Sequence, residues 1–124
     1  VFSTLHTRDA KGAISRLADI FPKQLQDAVL AQLALGLRAV VSQQLVPSSD
    51  PTAKRELALE ILFNTNPVAS AMRQGRVESI DNAIVTGRSD GMISMDESLR
   101  RLVESGRVRR EVARRFANDP TNFS

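Results

Sequence analysis

The chain has 124 residues, 42% of them hydrophobic, with no Cys, a single His and a net charge of +3. That length can bury roughly two-thirds of its unfolded surface, no apolar run approaches the ~18 to 20 residues of a membrane span, and the lack of Cys excludes disulfides and thiolate metal sites. With one His left, no metal site is expected, and with no basic–apolar–small-residue leader the cytoplasm is the expected location.

Val1 to Leu5 (VFSTL) is β-rich and apolar and predicts a strand, followed by a polar cluster, His6-Thr7-Arg8-Asp9. Asp9 is placed to cap a helix starting at Ala10, whose stripe would be Ile14, Leu17 and Phe21. Pro22 ends that helix and fits the first turn of the next. The second helix carries Leu25, Val29, Leu33, Leu37 and Val40/Val41 on one side. Residues 42–46 and 56–63 read as paired strands joined by the polar loop Pro47–Lys54. In the second of these, Leu57, Leu59, Ile61 and Phe63 alternate with Glu56 and Glu60.

Beyond Asn64 only helices are expected. Asn66 is a cap with Pro67 at the first helical position, and Gly75 ends that helix. Val77, Ile80, Ala83 and Ile84 mark another, closed by Gly87. Ser94-Met95-Asp96-Glu97 is a Ser-x-x-Glu capping box that opens a helix faced by Met95, Leu99, Leu102 and Val103 and closed by Gly106. A last helix is expected over 108–117. The chain therefore divides into an α/β part, 1–65, and a helical part, 66–124.

Few residues carry chemistry by themselves. Thr4 and His6 share a face of the expected strand, where a hydroxyl and an imidazole could meet a phosphate at the strand's C-terminal end; a surface histidine on a turn fits the same residues. A phosphate loop of the form GxxxxGK[ST] is absent, since Lys11, Lys23 and Lys54 follow Ala, Pro and Ala. Arg100, Arg101, Arg107, Arg109, Arg110, Arg114 and Arg115 crowd the end of the chain. Such a face suits phosphate neutralisation, which leaves a nucleic-acid-binding module as an alternative, yet Glu104, Glu111 and Asp119 interleave and no Tyr or Trp offers a stacking platform. No acid–base carboxylate pair stands out.

VFSTLHT followed by ISRLADIFP resembles the histidine box of the secretion ATPase superfamily, and more narrowly that of the type IV pilus retraction motors of twitching motility (PilT type). The likeness continues through LAQLALGLRAVVSQQLVP, LALEILFNTNPVASAMRQGR and AIVTGRSDGMISMDESLRRLVESGRV, the last with a TG-x-x-x-GM-x-[ST]-[FML]-[DE] pattern at Thr86 to Asp96. The resemblance implies the C-terminal part of a RecA-like P-loop ATPase domain followed by a helical C-terminal subdomain. It also implies a homohexamer that hydrolyses ATP with Mg²⁺ to drive pilus retraction, beside an inner-membrane platform protein at the cytoplasmic base of the pilus machine. In that family the phosphate loop, acidic box and catalytic glutamate precede the histidine box. ATP and Mg²⁺ would then be held mainly by a part of the protein upstream of Val1, and the chain alone is expected to be inactive.

Position by position, His6 matches the box histidine, implied to contact the γ-phosphate side, and Thr4 and Thr7 match its neighbours. The family's retraction-motif helix aligns with residues 67–74. Arg73 matches outright, Val68 and Met72 are conservative replacements, and Ala69, Ser70 and Gln74 depart from the pattern. Pilus assembly ATPases carry a tetracysteine site where this chain has PSSDPTAK, which favours the retraction branch, accessory paralogues included, over the assembly branch or another type II/IV secretion ATPase.

Overall fold

The computed structural model describes residues 1–124. Helix α1 (Ala10–Asp19) starts where Asp9, in extended geometry, accepts a hydrogen bond from Gly12 N at 2.8 Å. A Cβ at position 12 would fall 2.5 Å from Asp9 Oδ1, so glycine is what leaves the cap its room. The buried side of α1 is built from small residues around one large one: Ala10, Ala13, Ile14 and Ala18. Of the expected stripe only Ile14 is fully buried; Leu17 is half-buried and Phe21 lies exposed beyond the helix end.

Pro22 is the N-cap of α2 (Lys23–Gly36) rather than its first helical residue. The side of α2 that packs on the core is centred on Leu30 and Ala34, with Leu33 and Leu37 against them, while Leu25 is exposed. The expected stripe is thus rotated by about one residue. α2 is apolar around much of its girth, so its packing against α1 and the helix after the hairpin decides which side is buried. Leu37 is already extended and Val40 and Val41 belong to a strand.

Strands β1 (Ala39–Pro47) and β2 (Arg55–Phe63) form an antiparallel pair running from Ala39↔Phe63 to Pro47↔Arg55. The loop between them is held by Asp50, which accepts from both the N–H and the hydroxyl of Thr52, and by Ser49 N bonding to Arg107 O. Alternation along β2 is as expected, but the face that turns inward is the one bearing Ala58, Glu60 and Leu62. On the other face Val41, Leu45, Leu57 and Phe63 remain exposed. Within this chain the helices pack against the face bearing Ala58, Glu60 and Leu62 and leave much of the hairpin's apolar row uncovered.

The expected strand at Val1–Leu5 does not form. The one sheet is the β1–β2 pair, and nothing lies beside residues 1–5 to complete a hydrogen-bonded ladder. Val1 and Phe2 are fully exposed.

Four helices follow: α3 (Asn66–Arg73), α4 (Ser79–Thr86), α5 (Met95–Glu104) and α6 (Arg110–Phe116). The cap of α3 is Thr65 and Asn66 is already helical, with Pro67 in the first turn. Gly87 closes α4, and any Cβ there would sit 2.7 Å from Met92 Cε and 2.9 Å from the Ala83 carbonyl oxygen. Between α4 and α5, Ile93 pairs with Ile61 on the free edge of β2, N–H to O both ways at 2.9 and 3.2 Å. Ser94 caps α5 by accepting from Glu97 N at 3.1 Å. Past α6 the chain folds back in a short 3₁₀ turn, Pro120–Phe123, that buries Phe123. Asp96 holds it by accepting from Asn118 N, Asp119 N and Asn122 Nδ2.

Two apolar clusters result. The first joins α1–α4 through residues such as Ile14, Leu62, Met72 and Ile84. The second joins the hairpin to α5, α6 and the 3₁₀ turn through Val46, Ala58, Leu99 and Phe123. β2 serves both: Ala58 faces the second, Leu62 the first, and Glu60 stands between them along the strand.

Candidate functional site

The histidine segment leads directly into α1. Thr7 Oγ1 donates to Asp9 O at 3.4 Å, which ties the segment to the cap. His6 is exposed and Thr7 half-buried, and both line an open groove of about 520 Å³ with Arg8, Gly12, Ser15, Arg16, Asp19 and Ile20. Thr4 is exposed and does not line this groove. The rim thus carries an imidazole, two hydroxyls and two guanidinium groups, donors suited to phosphate oxygens, beside one carboxylate, Asp19, that can only accept.

The N-terminus of α1 adds less to that set than a free helix start would. Two of the amides a helix start leaves free for an anion are already taken: Gly12 N by Asp9, and Ala10 N by Glu60 at 2.9 Å. An anion in the groove would be held by side chains. These fit one flank of a polyphosphate, with no glycine-rich backbone to cradle it. No group of three or more His, Cys, Asp or Glu is placed to hold a metal ion.

The retraction-motif positions lie elsewhere. Val68 and Met72 are completely buried in the first cluster, and Arg73 is exposed at the end of α3. None of the three lines the groove.

Sequence reasoning passed over Glu60. This carboxylate is 1% exposed. Its Oε1 accepts from Ala10 N and its Oε2 from Met95 N, each at 2.9 Å, so one side chain holds the first amide of α1 and the first amide of α5. Burial pushes its pKa above the ordinary glutamate value, against the opposing pull of the two amide hydrogen bonds; Asp9 and Asp81 push in the same direction as burial. A signal was present: Glu60 interrupts the row that includes Ala58 and Leu62, and an acidic residue on a strand flanked by small and apolar neighbours needs donors from elsewhere in the fold. Close by, Lys11 Nζ pairs with Asp81 Oδ2 at 2.6 Å and joins α1 to α4. The hydrogen bond to Asp81 raises the Lys11 pKa above its ordinary value, outweighing desolvation.

The arginines of the last third fall into two groups. Arg88, Arg100 and Arg101 converge on Glu97. Arg107, Arg109, Arg110, Arg114 and Arg115 are exposed, and none takes part in an ion pair.

Residues 1–121 match the family model described as Type II/IV secretion system protein. The chain is 36% identical over 124 residues to a twitching motility protein of Neisseria gonorrhoeae, covering all of this chain and 33% of that protein. It is 37% identical over 123 residues to the type IV pilus retraction ATPase PilT of Pseudomonas aeruginosa, covering 99% of this chain and 35% of that one. It superposes on the crystal structure of the pilus retraction motor PilT with bound ADP at a TM-score of 0.81 and 27% identity, over 94% of this chain and 32% of that one. The chain thus spans about a third of the length of these relatives. Its α/β fold is that of the C-terminal portion of a PilT-type secretion ATPase. No helix is long and apolar enough to cross a membrane.

Proposed function

Since this chain belongs to the Type II/IV secretion system protein family, we propose that it serves as the C-terminal portion of a hexameric motor that couples ATP hydrolysis to type IV pilus retraction. The observation that carries this reading is the unbroken likeness to retraction motors from the His6 segment to residue 121. The absence of Cys from the 47–54 loop supports the retraction branch over the assembly branch. Residues 1–65 then complete the ATPase domain and 66–124 form the helical subdomain. The motor works at the cytoplasmic base of the pilus machine against an inner-membrane platform protein. The apolar residues Val68 and Met72 fix α3 in the core and hold Arg73 outward for that role.

In this reading ATP is the substrate, with Mg²⁺ and most of the nucleotide held by residues outside this chain. His6 supplies a donor on the γ-phosphate side, Thr7 flanks the phosphate, and Arg8 and Arg16 attract it, while Thr4 stands outside the groove as a neighbour of the histidine in sequence only. A donor aimed at charge that develops in the transition state is worth about 3 kcal/mol. His6→Ala in the intact motor should therefore lower ATP turnover by about two orders of magnitude while leaving the folded spectrum unchanged, because His6 is exposed and makes no hydrogen bond in the fold. Steady-state ATPase assay of the two proteins side by side checks this, and wild-type turnover in the variant would remove His6 from the site.

A further inference from the structure

Glu60 does more than satisfy itself. One carboxylate oxygen holds the first amide of α1, the helix that begins four residues after His6. The other holds the first amide of α5, the helix that anchors the second cluster. Both helices point their positive ends at the same group. The bonds are charge-assisted and sit where water does not compete, at 1% exposure. α5 otherwise packs mainly on β2 and α6. A carboxylate held at both oxygens cannot follow one helix without pulling on the other.

We propose that Glu60 is a positioning residue that couples the histidine segment to the helical half, so that a displacement of residues 6–9 is passed through α1 and the carboxylate to the start of α5. The coupling rests on the reading of the His6 groove as the nucleotide side, and it supplies the route by which events there reach the helices. Asp9, Asp81 and Lys11 are the charged groups that face the joint. Asp9 caps the same α1 turn, and Lys11 pairs with Asp81 on α4.

The test needs no nucleotide, so its outcome and that of the ATPase assay are independent. Asp9→Ala removes the α1 cap and loosens its first turn. Amide exchange by NMR of the intact protein then reads Ala10 and Met95, with Ala113 in α6 as a reference for global opening. The coupling predicts that Asp9→Ala speeds Ala10 exchange about fivefold, the usual effect of a lost cap, and speeds Met95 exchange by about twofold or more relative to Ala113, as a local opening does. In a Glu60→Gln background, where the amide can accept at one oxygen only, Met95 should no longer respond. An equal Met95 response in both backgrounds, or none in the parent, overturns the proposal.

Should Glu60→Gln not fold, the Asp9→Ala chain with native Glu60 is titrated instead. Ala10 and Met95 amide shifts that move with one shared midpoint support a single carboxylate joint, and separate midpoints overturn it.

Discussion

Glu60 and Glu97 are both carboxylates near the start of α5, and the fold treats them oppositely. Glu60 lies under the helices and is answered by backbone amides alone. Glu97 is half-buried, its side chain 16% exposed, and is answered from the solvent side by the exposed side chains of Arg88, Arg100 and Arg101. In water a long flexible cation is an adequate partner, but the entropy of holding it offsets most of the Coulomb gain. Inside the fold the partner must already be fixed, and helix-start amides are fixed by the helices themselves. The difference is one of consequence: Glu97 can lose any one partner at little cost, whereas each partner of Glu60 is an element of the fold.

The sharpest way to break this contrast is Glu60→Ala. Two buried N–H groups would lose their acceptor and a cavity would open between the clusters, so unfolding free energy should fall by about 3 kcal/mol or more. A chemical denaturation curve measures it, and a loss under about 1 kcal/mol would mean that water reaches both amides. Next comes pH. The Glu60 pKa is raised above its unfolded value of about 4.5, so between that value and the raised one the folded state binds more protons than the unfolded state. Its contribution is then greatest below the unfolded value and declines as pH rises through the folded one. Glu60→Gln cannot titrate, so its stability relative to the parent should increase with pH across that window. The opposite slope would show that the amide hydrogen bonds outweigh desolvation.

The same contrast explains what could be read from the sequence. Asp9 and Ser94 as caps, Gly87 and Gly106 as stops, and the hairpin around Pro47–Lys54 all rest on local chemistry, and the structure contains each of them. Glu60 was not legible as a joint because its partners are main-chain amides of Ala10 and Met95, which carry no residue-type signature. Alternation in β2 marks two faces, but which one the helices of this chain cover depends on where α1 and α5 dock, and that is the face bearing Ala58, Glu60 and Leu62. The strand at Val1–Leu5 was inferred from composition, and composition does not supply a neighbour. The turn at Pro120–Phe123 is held by Asp96, far back in the chain, so nothing local announces it. Of the candidate site, the His6 segment and its link to α1 were legible, and its wiring to α5 was not.

Ser94→Ala tests the α5 start from the solvent side. It removes one acceptor, that of Glu97 N, and leaves the Met95 amide on Glu60. The expected loss is about 1 kcal/mol, less than for Glu60→Ala, with α5 still docked. A loss equal to that of Glu60→Ala would place the weight of the helix start on the surface cap and dissolve the distinction drawn between the two carboxylates.

The smallest effect is expected from Arg100→Ala with Arg101→Ala. Both side chains are more than half exposed, at 53% and 64%, and Arg88 remains beside Glu97 when they are gone. The pair should lower stability by about 0.5 kcal/mol or less at low salt, and the difference should shrink as salt is added, because exposed charges are screened over about 8 to 10 Å. The Glu60→Ala loss should be nearly independent of salt, since ions do not enter the space between α1 and α5. Thermal melts of both variants at two ionic strengths therefore separate a carboxylate held by solvent-side cations from one held by the fold, and matching salt dependence in the two would show that Glu60 is wetter than its hydrogen bonds to Ala10 and Met95 imply.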